Sequence, residues 1–245
     1  MRLTAQKHSR AARVAELLKR RILSGVYPAG GKLPPELGLA RELGASRFTV
    51  REAMNQLEQL RLIARKAGAG TVVLDYQKNA GLDVIEYLVV SPSGVVDVEV
   101  LSNLLEVAKT LSSEVAALAA DRRSDDDLVT LGVIVVRMQG KNKLSDLLWL
   151  DFEFNWALAL ASRNVVPRLV LNSARTLLER HSHLLETLWV SPGSITEGYE
   201  YVVNALRERD ADRARSLVTW IWTARQQRFV EAVARGSRPP FERSA

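Results

Sequence analysis

Glycine and proline cut the first 75 residues into short pieces, and this punctuation limits the fold more than any other feature of the chain. Val14, Leu17, Leu18 and Ile22 share one helical face within Ser9 to Ser24, and Gly25 stands where such a helix stops. The run Tyr27-Pro28-Ala29-Gly30-Gly31-Lys32-Leu33-Pro34-Pro35 cannot be helical. The spacing then predicts a short helix from about Pro35, which suits a first helical turn, to Leu43, with Gly44 breaking it. Ser46 is placed to cap a further helix reaching about Leu60. There Val50, Met54, Leu57 and Leu60 form one stripe, while Arg47, Arg51 and Asn55 lie off it. Leu62-Ile63-Ala64-Arg65 and Thr71-Val72-Val73 flank Lys66-Ala67-Gly68-Ala69-Gly70, a two-stranded hairpin with a glycine-rich tip. The Gly68-x-Gly70 pair lacks the third glycine and the following helix of a dinucleotide loop, so it reads as the hairpin tip.

Helix, helix, glycine turn, helix and hairpin make a winged helix-turn-helix, whose third helix would enter a major groove with its N-terminal residues leading. Arg47 and Arg51 stand there one turn apart, and a planar guanidinium can grip guanine or a phosphate with two bonds. An arginine face can also simply be solvated. Charge weighs against that reading: residues 1–75 hold 14 Lys and Arg against 6 Asp and Glu, whereas residues 76–245 hold 20 against 22. A basic head on a slightly acidic body implies that the head meets a polyanion and the body does not.

The body reads as an all-α bundle of about seven helices: Leu82 to Val90, Val95 to Asp121, one capped by Ser124, Leu144 to Ser162, Val166 to Leu188, Ser194 to Arg207 and Asp210 to Ala234. Asp125, Asp126 and Asp127 follow the Ser124 cap, where negative charge complements the helix dipole. The expected organisation is a winged helix-turn-helix over residues 1–75, a linker at 76–80, a helical domain over 81–235 and a loose tail at 236–245 carrying Pro239-Pro240. All five tryptophans lie in the body, where aromatics most often fill a core.

Several function classes fall away. Cysteine is absent, which removes disulfides, zinc–thiolate sites and thiol nucleophiles. No uncharged apolar run approaches the ~20 residues of a membrane span, and the start has no apolar segment of a secretory signal, so a cytoplasmic protein without a membrane partner is expected. There is no G-x-S-x-G elbow, no H-E-x-x-H helix and no phosphate-binding P-loop, and Asp151 and Glu153 face different ways on one helix. Catalysis is not expected.

The stretch GVYPAGGKLPPELGLARELGASRFTVREAMNQLEQLRLIARKAGAGTVV resembles the DNA-binding domain of GntR-type bacterial transcription regulators in its spacing, prolines and glycines, over about residues 12–74. The resemblance implies operator contacts from Ser46, Arg47, Thr49 and Arg51 at the front of the recognition helix and from Gly68 in the wing. Phe48 takes a position usually small or polar, where it either touches a thymine methyl or packs. Leu37 replaces a usual arginine, and Ala67 and Ala69 replace polar or basic wing-tip residues, which implies weaker binding with a gentler salt dependence or a shifted specificity.

The body is similar to the effector-binding, dimerising domain of the FadR subfamily, through Asn103-Leu104-Leu105-Glu106-Val107, Leu150-Asp151-Phe152-Glu153-Phe154-Asn155 and Ala161-Ser162-Arg163-Asn164. That resemblance implies a homodimer on a pseudo-palindromic operator in double-stranded DNA, answering to a small-molecule effector. Many members hold a divalent metal through an Asp and three His. Here Asp151 is present, but Asn155, Tyr199 and about Ile221 stand at the His positions. Of the three histidines, His8 lies in the N-terminal arm, and His181 and His183 are too close in sequence for one helix to aim both at one ion. No metal and no cofactor are therefore expected, and Asp151 would be a hydrogen-bonded remnant or an exposed residue. Ala108 stands where the family often has an arginine for an effector carboxylate. Leu150-Asp151-Phe152 and Asn164 to Asn172-Ser173 are similar to the metal-free branch that senses long-chain acyl-CoA. A fatty acyl-CoA or another apolar metabolite is thus the expected effector, with Ala108, Asp151, Asn155, Tyr199 and Trp222 as its candidate site; Trp220 and Trp222 would either line such a pocket or fill it. The alternative is a metabolite-binding scaffold whose DNA binding is weak or lost, as Leu37, Ala67 and Ala69 would allow.

Overall fold

The computed structural model describes residues 10–66, 68, 70–91, 95–141, 143–185 and 192–234, leaving out the side chains of 183–185, 192–195 and 232–234. His8, Ala67, Ala69, the stretch 186–191 with Leu188 and Trp189, the tail 236–245, and the side chains of His183 and Ser194 lie outside the described residues. The chain forms two compact units, residues 1–94 and 95–245.

In the first unit α1 (Arg10–Leu23) buries Val14, Ala15, Leu18 and Ile22, the apolar face of its sequence pattern. α2 (Glu36–Glu42) and α3 (Arg47–Gln59) follow, joined through Gly44, whose φ of +58° a β-carbon would strain. The strands β1 (Ile63–Lys66) and β2 (Gly70–Val73) pair antiparallel with Ile63 opposite Val73 and Lys66 opposite Gly70. The proline- and glycine-rich segment before α2 is not a free loop. It runs beside β2, with Leu33 N–H donating to Thr71 O and Val73 N–H to Gly31 O, both at 2.9 Å, and so holds the hairpin against the helices. Leu18, Leu39, Val50, Met54, Leu57, Leu62, Ile63 and Val73 close a single core.

The linker expected at residues 76–80 is instead structured, and the domain boundary moves to the 94/95 division. α4 (Tyr76–Asn79) is capped by Asp75, whose carboxylate accepts from Gln77 N–H at 3.1 Å. A 3-10 turn (Leu82–Val84) leads into α5 (Ile85–Val89). α5 belongs to the first unit because Val84 joins its core and Tyr87 docks on α1, donating its hydroxyl to Glu16 at 3.0 Å and accepting from Lys19. Arg20 adds a bond to Ser91 O at 3.1 Å.

The elements of the second unit among its described residues are helices: α6 (Val98–Arg122), α7 (Asp125–Met138), α8 (Leu144–Ala161), α9 (Val165–Leu185), α10 (Pro192–Glu208) and α11 (Ala211–Ala234). α8 is apolar on nearly all sides, through Leu147, Leu148, Leu150, Phe154, Ala157 and Leu158, so it sits centrally and packs against α6, α7 and α9. α6 and α11 lie side by side, with Ala116, Ala119 and Ala120 on one and Ala214 and Val218 on the other permitting close approach. Ser124 builds a complete capping box with Asp127 at the start of α7. The buried Arg123 closes the C-terminal end of α10, donating to Leu206 O at 3.1 Å and Arg207 O at 2.9 Å. No helix among the described residues is long and apolar enough to cross a membrane.

Candidate functional site

The front of α3 is a surface rather than a packed end. Ser46 Oγ accepts from Thr49 N–H at 3.0 Å and lies 2.8 Å from Thr49 Oγ1, which fixes the first turn and uses both hydroxyls. Arg47 is exposed and makes no hydrogen bond or ion pair among the described residues. Phe48 is 73% exposed, so of its two expected roles packing within this chain is not the one observed. Arg51, also exposed, meets Glu36 of α2, donating from Nη2 at 3.0 Å and from Nε at 3.2 and 3.3 Å. That bond, more than any other influence, holds the Glu36 carboxyl below the usual carboxylate range. On β1, Arg65 donates to Asn55 at 2.8 Å and pairs with Glu58 at 3.1 Å, tying the wing to α3. Gly68 at the wing tip is exposed with φ +74°. Leu37 is likewise exposed, beside the same surface on α2.

In the second unit a cavity of about 210 Å³ opens between α6, α8, α9 and α11. Its walls are apolar, including Leu101, Leu105, Leu148 and Phe152, and Ala108, Asp151, Asn155 and Trp222 all line it. Tyr199 lies behind this wall, 2% exposed, its ring centroid 4.1 Å from that of Phe154. Trp220 is exposed, which separates it from Trp222: only the latter lines the cavity.

One polar cluster interrupts the apolar wall. Arg225 on α11 donates from Nη2 to Asp151 Oδ1 at 2.5 Å and to the Tyr199 hydroxyl at 2.9 Å, and from Nη1 to Asp151 Oδ2 at 3.3 Å. Tyr199 in turn donates to Asp151, and Asn155 Nδ2 donates to Asp151 O at 2.9 Å. Burial opposes the Arg225 charge, but the facing Asp151 carboxylate and the bonds to Asp151 and Tyr199 outweigh it and keep the guanidinium firmly protonated. Burial first, and the Asp151 charge second, push the Tyr199 phenol above its ordinary value against the pull of Arg225, so it stays un-ionised. Arg225 is the residue that sequence reasoning missed. Its signal was a charge on the buried stripe of α11, in step with Val218, Ile221 and Phe229.

Comparison with known proteins follows the same division. The family described as "Bacterial regulatory proteins, gntR family" matches residues 10–73, and the FCD domain family matches residues 103–224. The regulator Mce2R of Mycobacterium tuberculosis is 30% identical over 207 residues, 82% of this chain and 84% of its own length. The chain belongs to the GntR family of bacterial regulatory proteins. LutR of Bacillus subtilis is 30% identical over 76% of this chain and 85% of its own. Lar of Listeria monocytogenes superposes with a TM-score of 0.60 at 18% identity, over 94% of this chain and 99% of that one, a likeness of fold. As a GntR-family protein the chain is a helix-turn-helix transcription regulator with an FCD domain, and not an enzyme.

The donor set around Asp151 does not fit a divalent cation. It offers an amide in Asn155 and an un-ionised phenol in Tyr199, and the Arg225 charge already occupies the carboxylate. Of the two readings of Asp151 the hydrogen-bonded one holds and the exposed one does not: its side chain is 14% exposed and pairs with that of Arg225, 4% exposed.

Proposed function

We propose that this GntR-family regulator binds a pseudo-palindromic operator as a homodimer, acts as a repressor, and releases or tightens its grip when an apolar metabolite enters the helical unit. The observation that carries the DNA reading is the exposed first turn of α3, where Arg47, Phe48 and Arg51 project from a helix whose own N-terminus is capped by Ser46. Arg47 and Arg51 supply bidentate donors to guanine or phosphate, Phe48 an apolar contact for a thymine methyl, and Ser46, Thr49 and the Gly68 tip short-range backbone contacts. Two heads related by a two-fold axis read two half-sites, which gives the operator its symmetry.

The exposed row Val129, Val133 and Val136 on α7, spaced as one helical face, continues to Trp149 of α8 and supports pairing through the helical unit. The cavity beside Ala108 supports an apolar effector. An effector alters DNA affinity only as far as it prefers one arrangement of the dimer over the other. Selection of bound duplexes from a random pool by the full-length protein tests the DNA reading. A two-fold symmetric consensus that Arg47→Ala no longer enriches is expected; enrichment of no sequence, with weak duplex binding insensitive to salt, would favour the scaffold alternative.

A further inference from the structure

We propose that the cavity beside Ala108 takes an uncharged amphiphile of about eight to twelve non-hydrogen atoms, bound without a metal ion, because a built-in Arg225–Asp151 pair closes its polar end. The inference deepens the reading of the helical unit as ligand-responsive and rests on it.

Size comes first. An apolar cavity of about 150 Å³ holds a benzene ring, so 210 Å³ seats a molecule somewhat larger than that. A coenzyme A thioester exceeds this space several times over. The effector therefore falls at the small end of the apolar class.

Charge decides the rest. Among the described residues lining the cavity only Asp151 and Arg225 are charged, and they face each other at 2.5 Å, so their sum is zero. A carboxylate entering this wall would shed its water without meeting an uncompensated cation. Arg225 already spends bonds on Asp151 and on Tyr199, and the surrounding residues 76–245 hold more acids than bases. A divalent cation would first have to expel the guanidinium and would then find one carboxylate. An uncharged head group has neither difficulty. It can bond to Asn155 and Ser112, both on the wall, while an alkyl or aryl tail lies against Leu105, Leu148 and Phe152.

Octanamide and octanoate, equal in length and different in charge, test this on the full-length protein by isothermal titration, with intrinsic tryptophan fluorescence as a second readout; Zn²⁺ and Mn²⁺ are titrated separately. The expected result is octanamide binding at least about tenfold tighter than octanoate, with neither cation moving the melting midpoint. Octanoate binding as tightly or tighter, binding of neither compound, or a stabilisation by either cation that chelation reverses would overturn the proposal. Ala108→Phe should abolish octanamide binding in a folded protein, and retained binding would count against the cavity. A folded Asp151→Asn variant, leaving Arg225 without its carboxylate, should shift preference towards octanoate, and no shift would contradict the charge argument; should that variant fail to fold, the wild-type comparison still decides. Duplex binding of the same preparation is scored separately, so loss of the regulator reading and loss of the cavity reading give different results.

Discussion

At the scale of single residues, two arginines with opposite surroundings carry the account. Arg47 projects from the first turn of α3 without a partner among the described residues, whereas Arg225 is 4% exposed and locked to Asp151 and Tyr199. Replacing Arg47 by Ala should lower affinity for the selected operator by roughly ten- to a hundredfold and relax discrimination at one base pair, read by fluorescence anisotropy, with the melting midpoint unchanged. Glu36→Gln should release Arg51 and remove a negative charge from the same surface, so non-specific duplex binding should strengthen and its salt slope steepen. Asp151→Ala should cost about 3–5 kcal/mol, since it leaves a buried guanidinium uncompensated, measured by denaturant unfolding. The exposed residues at the front of α3 were legible in the sequence because their position follows from a local pattern, Gly44, the Ser46 cap and a 3.6-residue stripe. The place of Arg225 on the buried stripe of α11 was marked by local spacing, but its partner was not, because the Asp151 carboxylate lies 74 residues away.

At the scale of elements, four helices in the two units begin where capping chemistry places them. Ser46, Asp75, Asp97 and Ser124 each accept a bond from a backbone N–H at a helix start. Ser124→Ala should destabilise the second unit by about 1 kcal/mol, seen as a lower melting midpoint with operator affinity preserved. Burial opposes the charge of Asp127, but the bonds from Ser124 and the Arg163 guanidinium outweigh it and hold that carboxyl below its usual range. Its contribution is thus present at neutral pH and is lost as pH falls below about 4. Acid unfolding of Asp127→Asn should accordingly be less steep than that of the wild type. What local chemistry does not reveal is to which unit a short element belongs. α5 has an ordinary helical pattern, and it is the packing of Val84 and Leu88 on the first core and the bonds of Tyr87 to Glu16 and Lys19 on α1 that assign it to the first unit.

At the scale of the whole molecule, the division into a basic head and a slightly acidic helical body was readable from charge alone, and the two family matches fall on either side of it. Val129, Val133 and Val136 are left exposed after folding, a property that periodicity within α7 does not disclose, and the proposed pairing of two chains rests on them. Val133→Glu should convert dimer to monomer in light scattering, and with it turn symmetric operator binding into weak half-site binding. The central claim, that the front of α3 reads duplex DNA, is met most directly by anisotropy titration of the full-length protein on its selected operator and on a scrambled duplex, at low and moderate salt. The account predicts salt-dependent binding that prefers the operator and loses that preference in Arg47→Ala; equal binding of both duplexes by wild type and variant would contradict it.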